Sequence, residues 1–271
     1  MAGSRSLQGK VAVVTGASRG VGRATAVELA ELGASVVVTA RTDVRRHDIA
    51  GAIGETVETI EKAGGRALAI KADLLVQADI DRLVEGTLGS FGPVDILVNN
   101  AAYIGEAVFE TFWEMCLDSW RNMMELNVNA IFALTKEFAP YMRERGSGLV
   151  VNVSSGAGHD PQGAQIPLPR KGGLGAAYPT SKSAVTQMTA YIGNELREVG
   201  IPMIALDPGY ARSESAEILS SRMGLDPSLA QPVTVAAKAI GWLATCDDPM
   251  AYAGRFVVAR EIVDEYKLLD L

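Results

Sequence analysis

Val11-Ala12-Val13-Val14-Thr15-Gly16-Ala17-Ser18-Arg19-Gly20-Val21-Gly22 decides how this chain folds. A short β-branched run ends in three closely spaced glycines, and a helical pattern follows at once, up to Glu31. Glycine is required where a backbone turns sharply, approaches a phosphate, or packs helix against strand. Those jobs fall to Gly16, Gly20 and Gly22 in turn. A helix N-terminus presents N–H groups and a positive dipole end, the natural seat of a pyrophosphate. A glycine-rich turn without a ligand would use the same residues. Their position at the first strand–helix junction favours the phosphate.

Working outward, apolar runs of strand length alternate with longer helical stretches. Strands are expected at Val11–Thr15, Ser35–Thr39, Ala67–Lys71, Ile96–Asn99, Leu149–Ser154, Pro202–Leu206 and Arg255–Val258. Helices are expected near Gly22–Glu31, Glu55–Ala63, Ala78–Phe91, Ser119–Arg145, Tyr178–Val199 and Val233–Thr245. The strand runs are apolar throughout rather than alternating, as in strands covered on both faces. This predicts an α/β fold: a doubly wound parallel sheet of Rossmann type with helices on both faces. No linker or repeat divides the chain, so one domain over residues 1–271 is expected. Three longer loops, Arg41–Gly54, His159–Gly175 and Tyr210–Gln231, follow strands. That is the edge of such a sheet where ligands bind.

Composition narrows the function. The 25 Lys and Arg against 32 Asp and Glu give a net charge of −7. That balance offers no broad positive field for nucleic acid or an anionic membrane. Two cysteines and two histidines exclude a disulfide framework and argue against a zinc site, so no metal is expected. No run is long enough to span a bilayer and the first ten residues carry no secretion signal, so a cytoplasmic protein is expected.

The spacing T-G-x-x-x-G-x-G, matched throughout by Thr15–Gly22, resembles the short-chain dehydrogenase/reductase family. Other motifs follow in the family's order: Asp73, Asn99-Asn100-Ala101, Asn127, Ser155, Tyr178-x-x-x-Lys182 and Pro208-Gly209. The likeness runs from Leu7 to about Ala259. It implies an oxidoreductase that moves a hydride between a nicotinamide cofactor and a ketone or secondary alcohol. It also implies a cofactor held by Gly16, Ser18, Arg19, Gly20, Val21 and Gly22. Arg41, Asp73, Leu74, Asn100, Ala101, Tyr178, Lys182, Pro208, Gly209 and Ser213 complete the cofactor site it implies, with Ser213 near the carboxamide. The chain departs from the pattern at Ala102, where the family usually has glycine, and at Ser213, where it usually has threonine.

Proteins that bind NAD commonly place an acid about 20 residues after the glycine loop. Here that place reads Ala40-Arg41, and Arg19 lies within the loop. A guanidinium suits a 2′-phosphate, so NADP(H) is expected over NAD(H). Arg45, Arg46 and His47 add positive charge, whereas Asp43 or Asp48 could contact a ribose hydroxyl instead.

The resemblance gives catalysis to Asn127, Ser155, Tyr178 and Lys182. Tyr178 is the proton donor and acceptor, Ser155 polarises the substrate oxygen, Lys182 also holds the ribose, and Asn127 holds a relay water. A free tyrosine titrates near ~10, so lowering it by ~3 units takes ~4 kcal/mol, which an ammonium at i+4 and a cationic nicotinamide could supply. Pro179 suggests that the helix begins there, with Tyr178 at its cap. Ser154, facing away, is expected to pack locally. A protein that binds the dinucleotide without turnover remains the alternative.

The resemblance places the segment Tyr103–Trp120, with Tyr103, Phe109, Phe112, Trp113, Met115 and Trp120, beside the substrate cleft; with Ile166, Leu168 and Met223 it suggests an apolar pocket for a hydrophobic carbonyl or alcohol, though core or interface residues would look the same. The His159–Gly175 loop is expected to govern substrate choice, with Arg170 and Lys171 as a less favoured anion clamp. Helices Ser119–Arg145 and Tyr178–Val199 carry spare apolar surface. In the family they pair across a two-fold axis, which predicts a homodimer or homotetramer.

Overall fold

The run that opens the glycine loop is a strand, β1 (Val11–Thr15), in a computed structural model that describes residues 6–42, 51–159, 173–213 and 226–269. It is followed by α1 (Gly20–Glu31), β2 (Ser35–Ala40), α2 (Ile53–Lys62), β3 (Arg66–Lys71), α3 (Gln77–Phe91) and β4 (Ile96–Asn99). The second half runs α4 (Leu117–Met124), α5 (Ala130–Arg145), β5 (Leu149–Val153), α6 (Ala177–Arg197) and β6 (Met203–Asp207). Two-residue strands β7 (Ala211–Arg212) and β8 (Gln231–Pro232) pair with each other. The chain continues with α7 (Val233–Thr245), β9 (Phe256–Val258) and α8 (Ala259–Tyr266).

Seven strands form one parallel sheet in the order β3-β2-β1-β4-β5-β6-β9. Alternate residues of each central strand feed two cores. Ala12, Val14, Val36 and Val98 face α1 and α7, where Leu29 and Ile240 meet them. Val13, Val37, Leu97 and Val150 face α3 and α5, where Leu83 and Phe138 meet them. Burial on both faces is why these strands read as unbroken apolar runs. The two edge strands depart from this: in β3 Arg66, Ala69 and Lys71 are exposed, and β9 is only part-buried throughout. From β1 the chain winds out to β3, then crosses back to β4. The strand order therefore reverses between β1 and β4 and opens a crevice at their C-terminal ends.

Three expectations are corrected. The long helix expected over Ser119–Arg145 is interrupted by a π turn, Glu125–Asn129, between α4 and α5. The extra residue in that turn lets buried Asn127 reach two partners described below, and apolar spacing carries no sign of it. The helix at Tyr178 starts at Ala177, not Pro179. Pro179 sits in the first turn, where its missing N–H costs nothing. Helix α8 follows β9 without a turn residue, so its eight residues escape notice in the sequence although Ile262 and Val263 are buried.

Candidate active site

A cavity of about 800 Å³ fills the crevice. At its floor Thr15 ties β1 to β4: the N–H groups of Asn100 and Ala101 both donate to Thr15 Oγ1, at 3.0 Å each. The Asn100 amide reaches back and donates to the carbonyls of Thr15 (2.8 Å) and Gly16 (3.2 Å). Asn100 thus shapes the glycine loop as well as lining the cavity. Gly16 has φ +65°, and a Cβ there would lie 2.8 Å from Ala101 Cα. No L side chain fits.

Helix α1 begins at Gly20, two residues earlier than expected. Arg19 at its N-cap makes no side-chain cap hydrogen bond, and the first turn holds no acid. The positive end of the helix dipole therefore faces the cavity, where Gly16, Ser18, Arg19, Gly20, Val21 and Gly22 form the wall. A glycine-rich cradle under a helix N-terminus with no acid in its first turn fits a pyrophosphate. Beside it, Ala40 and Arg41 at the end of β2 line the same cavity, as do Ala72 and Leu74 after β3. Asp73 does not line it: its Oδ1 accepts from the Leu75 N–H at 3.1 Å and shapes the turn. Residues 43–50, which carry Asp43, Arg45, Arg46, His47 and Asp48, lie outside the described residues.

At the far end, β5 and α6 bring Ser155, Tyr178 and Lys182 together. Lys182 is 2% exposed, and its Nζ donates to the Val153 carbonyl at 2.7 Å. Its ammonium stands 5.8 Å from the centroid of the Tyr178 ring. Burial pulls Lys182 down to about 8, with the Asp207 charge opposing. Burial also pushes the Tyr178 hydroxyl above its ordinary value; the Ser155 hydrogen bond lowers it and the Asp207 charge raises it further. In the chain alone the expected lowering does not appear, because burial favours the neutral phenol and outweighs what opposes it.

Ser154 turns away, as its place on the strand predicts. It donates to the Lys182 carbonyl at 3.2 Å and pairs with Thr186 Oγ1 at 2.9 Å. Asn127 is fully buried and anchored at both ends. Its Oδ1 accepts from the Tyr103 N–H at 2.7 Å, and its Nδ2 donates to Ser181 Oγ at 2.9 Å. Ser181 in turn donates to the Tyr178 carbonyl at 2.8 Å. The asparagine side chain therefore fixes the start of α6.

The substrate side is only partly the aromatic segment expected. Tyr103, Ile104, Val108, Phe109 and Leu174 line the cavity. Phe112 and Trp113 are 78% and 89% exposed and meet edge to face outside it, at an interplanar angle of 78°. Met115 and Trp120 pack in a small satellite core around Met123. Ile166, Leu168, Arg170, Lys171 and Met223 lie outside the described residues, with most of the His159–Gly175 loop. The return of that loop is anchored where Gly175 N–H donates to the Val108 carbonyl at 2.7 Å.

Pro208, Gly209, Tyr210 and Ser213 line the same cavity. Gln231, unnoticed in the sequence, clamps their turn: its Nε2 donates to the Pro208 carbonyl at 2.6 Å. Ser181 and Asp207 were also missed. Ser181 lies one helical turn after Tyr178, and Asp207 precedes Pro208-Gly209; those placements were the available signal.

Comparison with known proteins accords with this geometry. The sequence profile described as short chain dehydrogenase matches residues 10–224. A 3-oxoacyl-[acyl-carrier-protein] reductase of Synechocystis sp. is 32% identical over 216 residues, 80% of each chain. Among solved structures, a metagenomic short-chain oxidoreductase in complex with NADP is 30% identical, with TM-score 0.71 over 89% of this chain and 93% of that one. A 7α-hydroxysteroid dehydrogenase complexed with NADH and 7-oxo glycochenodeoxycholic acid is 26% identical, with TM-score 0.78 over 94% of each chain. With the glycine loop, the parallel sheet and the matched profile all in agreement, the chain belongs to the short-chain dehydrogenase family and is an oxidoreductase.

Proposed function

We propose that this protein is an NADP(H)-dependent oxidoreductase acting on a hydrophobic ketone or its secondary alcohol, working as one domain. The observation that carries this reading is the joining, in one cavity, of Arg19 and Arg41 at one end with Ser155, Tyr178 and Lys182 at the other. When bound, the nicotinamide supplies or takes up the hydride.

The chain's own residues do the rest. Gly16 to Gly22 receive the pyrophosphate at the α1 N-terminus. Arg19 and Arg41 pair with a 2′-phosphate where an NAD-specific site would place a carboxylate. Ser155 donates to the substrate oxygen, and Tyr178 passes its phenolic proton to that oxygen during reduction or removes one during oxidation. Lys182 holds the ribose and adds positive charge under the phenol once a cofactor is in place. Val108, Phe109 and Leu174 offer an apolar wall that excludes water and favours a hydrophobic substrate.

The relatives supply both cofactors: one solved neighbour carries NADP and another NADH. Two cavity arginines and no acid at Ala40 favour NADP here. Replacing Arg41 with Ala should weaken NADPH binding about tenfold or more and leave NADH binding nearly unchanged, the loss of one charge-assisted pair. Titrating cofactor fluorescence with both nucleotides reads this directly. Equal losses would move the assignment to NAD(H). A non-catalytic dinucleotide binder is tested by turnover with a ketone panel: no reduction of any member with either cofactor would leave that alternative standing.

The proposed assembly is a homodimer or homotetramer. Phe132 on α5 and Tyr191 on α6 are 50% and 68% exposed, which is surface for a two-fold partner. Light scattering at micromolar concentration should give two or four chain masses, and one chain mass would refute the assembly.

A further inference from the structure

Ahead of helix α2 the chain passes against the glycine loop at Gly51. There φ is +103°, and a Cβ would lie 2.5 Å from the Ser18 carbonyl oxygen and 3.0 Å from Arg19 Cβ. Only a residue without a side chain passes this close. Two residues on, the Ile53 N–H donates to the Thr42 carbonyl at 3.1 Å. Thr56, fully buried on α2, donates from Oγ1 to the Ala17 carbonyl at 2.8 Å. A helical threonine ordinarily gives that proton to the carbonyl one turn back, as Thr59 does to Glu55 at 2.8 Å. Thr56 gives it to a residue 39 positions earlier. Ala17, in the middle of the glycine loop, is itself fully buried, and its N–H donates to the Thr39 carbonyl of β2 at 3.2 Å. The loop is thus held from β2 on one side and from α2 on the other.

We propose that Gly51 and Thr56 are positioning residues for cofactor choice, fixing the spacing between the pyrophosphate seat at the glycine loop and the 2′-phosphate seat at Arg19 and Arg41. The inference rests on the NADP(H) reading above and deepens it. One short segment, residues 51–56, meets the supports of both arginines. Gly51 sits against Arg19, Thr56 holds Ala17 two residues before Arg19, and Ile53 holds Thr42 one residue after Arg41. Arg19, Arg41 and Thr42 line the cavity, whereas Gly51 and Thr56 lie behind its wall and act through these neighbours. A charge-assisted pair between a guanidinium and a phosphate depends on distance and angle. NADPH engages both seats at once and NADH only the pyrophosphate seat. Slack between the seats therefore weakens NADPH more than NADH.

Thr56→Val is the discriminating variant, because it keeps the shape of the side chain and removes the donor, leaving the buried Ala17 carbonyl unpaired. Folding should survive: Arg23 Nη2 on α1 donates to Thr59 Oγ1 at 3.1 Å and holds the next turn of α2 in place. The Kd for NADPH should rise about tenfold, as expected for one buried hydrogen bond lost at an acceptor that stays buried. The Kd for NADH should rise less than about threefold, so the preference between the two cofactors shrinks. Thr56→Ser, which restores the hydroxyl, should restore the preference. In steady state the loss should fall on the KM for NADPH rather than on kcat, because Ser155 and Tyr178 stand at the far end of the cavity. Gly51→Ala pushes on Ser18 and Arg19 from outside the helix and should shrink the preference in the same way.

Fluorescence titration of NADPH and NADH against wild type, Thr56→Val, Thr56→Ser and Gly51→Ala gives both dissociation constants without turnover. Thermal melts of the same proteins measure what the bond contributes to folding alone. A wild type that prefers NADPH, with the ratio of the two constants unmoved in Thr56→Val and Gly51→Ala, would overturn the proposal; a lowered melting temperature with that ratio intact would make Thr56 a purely structural residue. Equal losses for both cofactors would overturn it too, because the segment would then support the glycine loop only. A wild type that binds NADH more tightly would instead refute the NADP(H) reading, and the discriminating role of residues 51–56 with it.

Discussion

Tyr178→Phe should cut turnover by about 10²–10⁴-fold, the range expected when a positioned acid–base group is lost. Cofactor affinity should barely change. The variant keeps the ring against the satellite core of Ala107, Val108 and Met123 and removes only the hydroxyl. Ser155 loses one partner but still accepts from the Ala157 N–H at 3.2 Å, so the turn that carries it survives. Lys182 keeps its bond to Val153 and Asn127 keeps its two anchors, since none of these passes through the phenol oxygen. Stability should therefore stay within about 1 kcal/mol of wild type, or rise slightly, because a desolvated hydroxyl is removed. Paired measurements of kcat with a reducible ketone and of NADPH binding separate the two effects. Wild-type kcat would remove Tyr178 from the proton path. Loss of NADPH binding in parallel with kcat would make the residue a cofactor contact rather than an acid.

Much of this site could be seen in the chain before its structure, and the reasons are specific. The glycine loop is legible because Gly16 must have positive φ and no Cβ, a constraint that only one residue type meets. The sheet is legible because strands buried on both faces leave unbroken apolar runs, which holds for the five strands between the edges β3 and β9. Tyr178 and Lys182 are legible because four residues is one helical turn. What escaped is set by tertiary contacts. The π turn at Glu125–Asn129 follows from buried Asn127 needing both Tyr103 and Ser181, which no local pattern encodes. Gln231 comes to the Pro208-Gly209 turn only because β8 pairs with β7. Phe112 and Trp113 were expected near the pocket because the resembling segment borders the cleft; a segment's place does not say which way each apolar side chain faces. Asp73 belongs with them: the turn claims its carboxylate instead of the cavity.

Lys182→Met should abolish turnover and raise the Kd for NADPH, since the ammonium is assigned to both the ribose and the proton path. Methionine is close in volume and leaves no large cavity, so folding should survive. The variant has a second signature that needs no substrate. The folded-state pKa of Lys182, about 8, lies below its ordinary 10.5. Below about pH 8 both the folded and the unfolded chain hold this proton, and the buried charge costs stability. Between about 8 and 10.5 the unfolded chain binds more protons than the folded one, so stability rises with pH. Tyr178 has the opposite sign: its folded pKa is raised above 10.0, so the unfolded chain releases its proton first and stability falls above that point. The window from about pH 8 to 10 therefore reports Lys182. There its contribution should rise by as much as about 1.4 kcal/mol per pH unit. Urea unfolding across this window, with Lys182→Met subtracted from wild type, cancels the cysteines and every other group common to both proteins. The difference should carry that positive slope. Parallel stability curves for the two proteins would mean that Lys182 keeps an ordinary proton affinity in the folded chain, and that its ammonium is better compensated by Val153 and Asp207 than its burial implies.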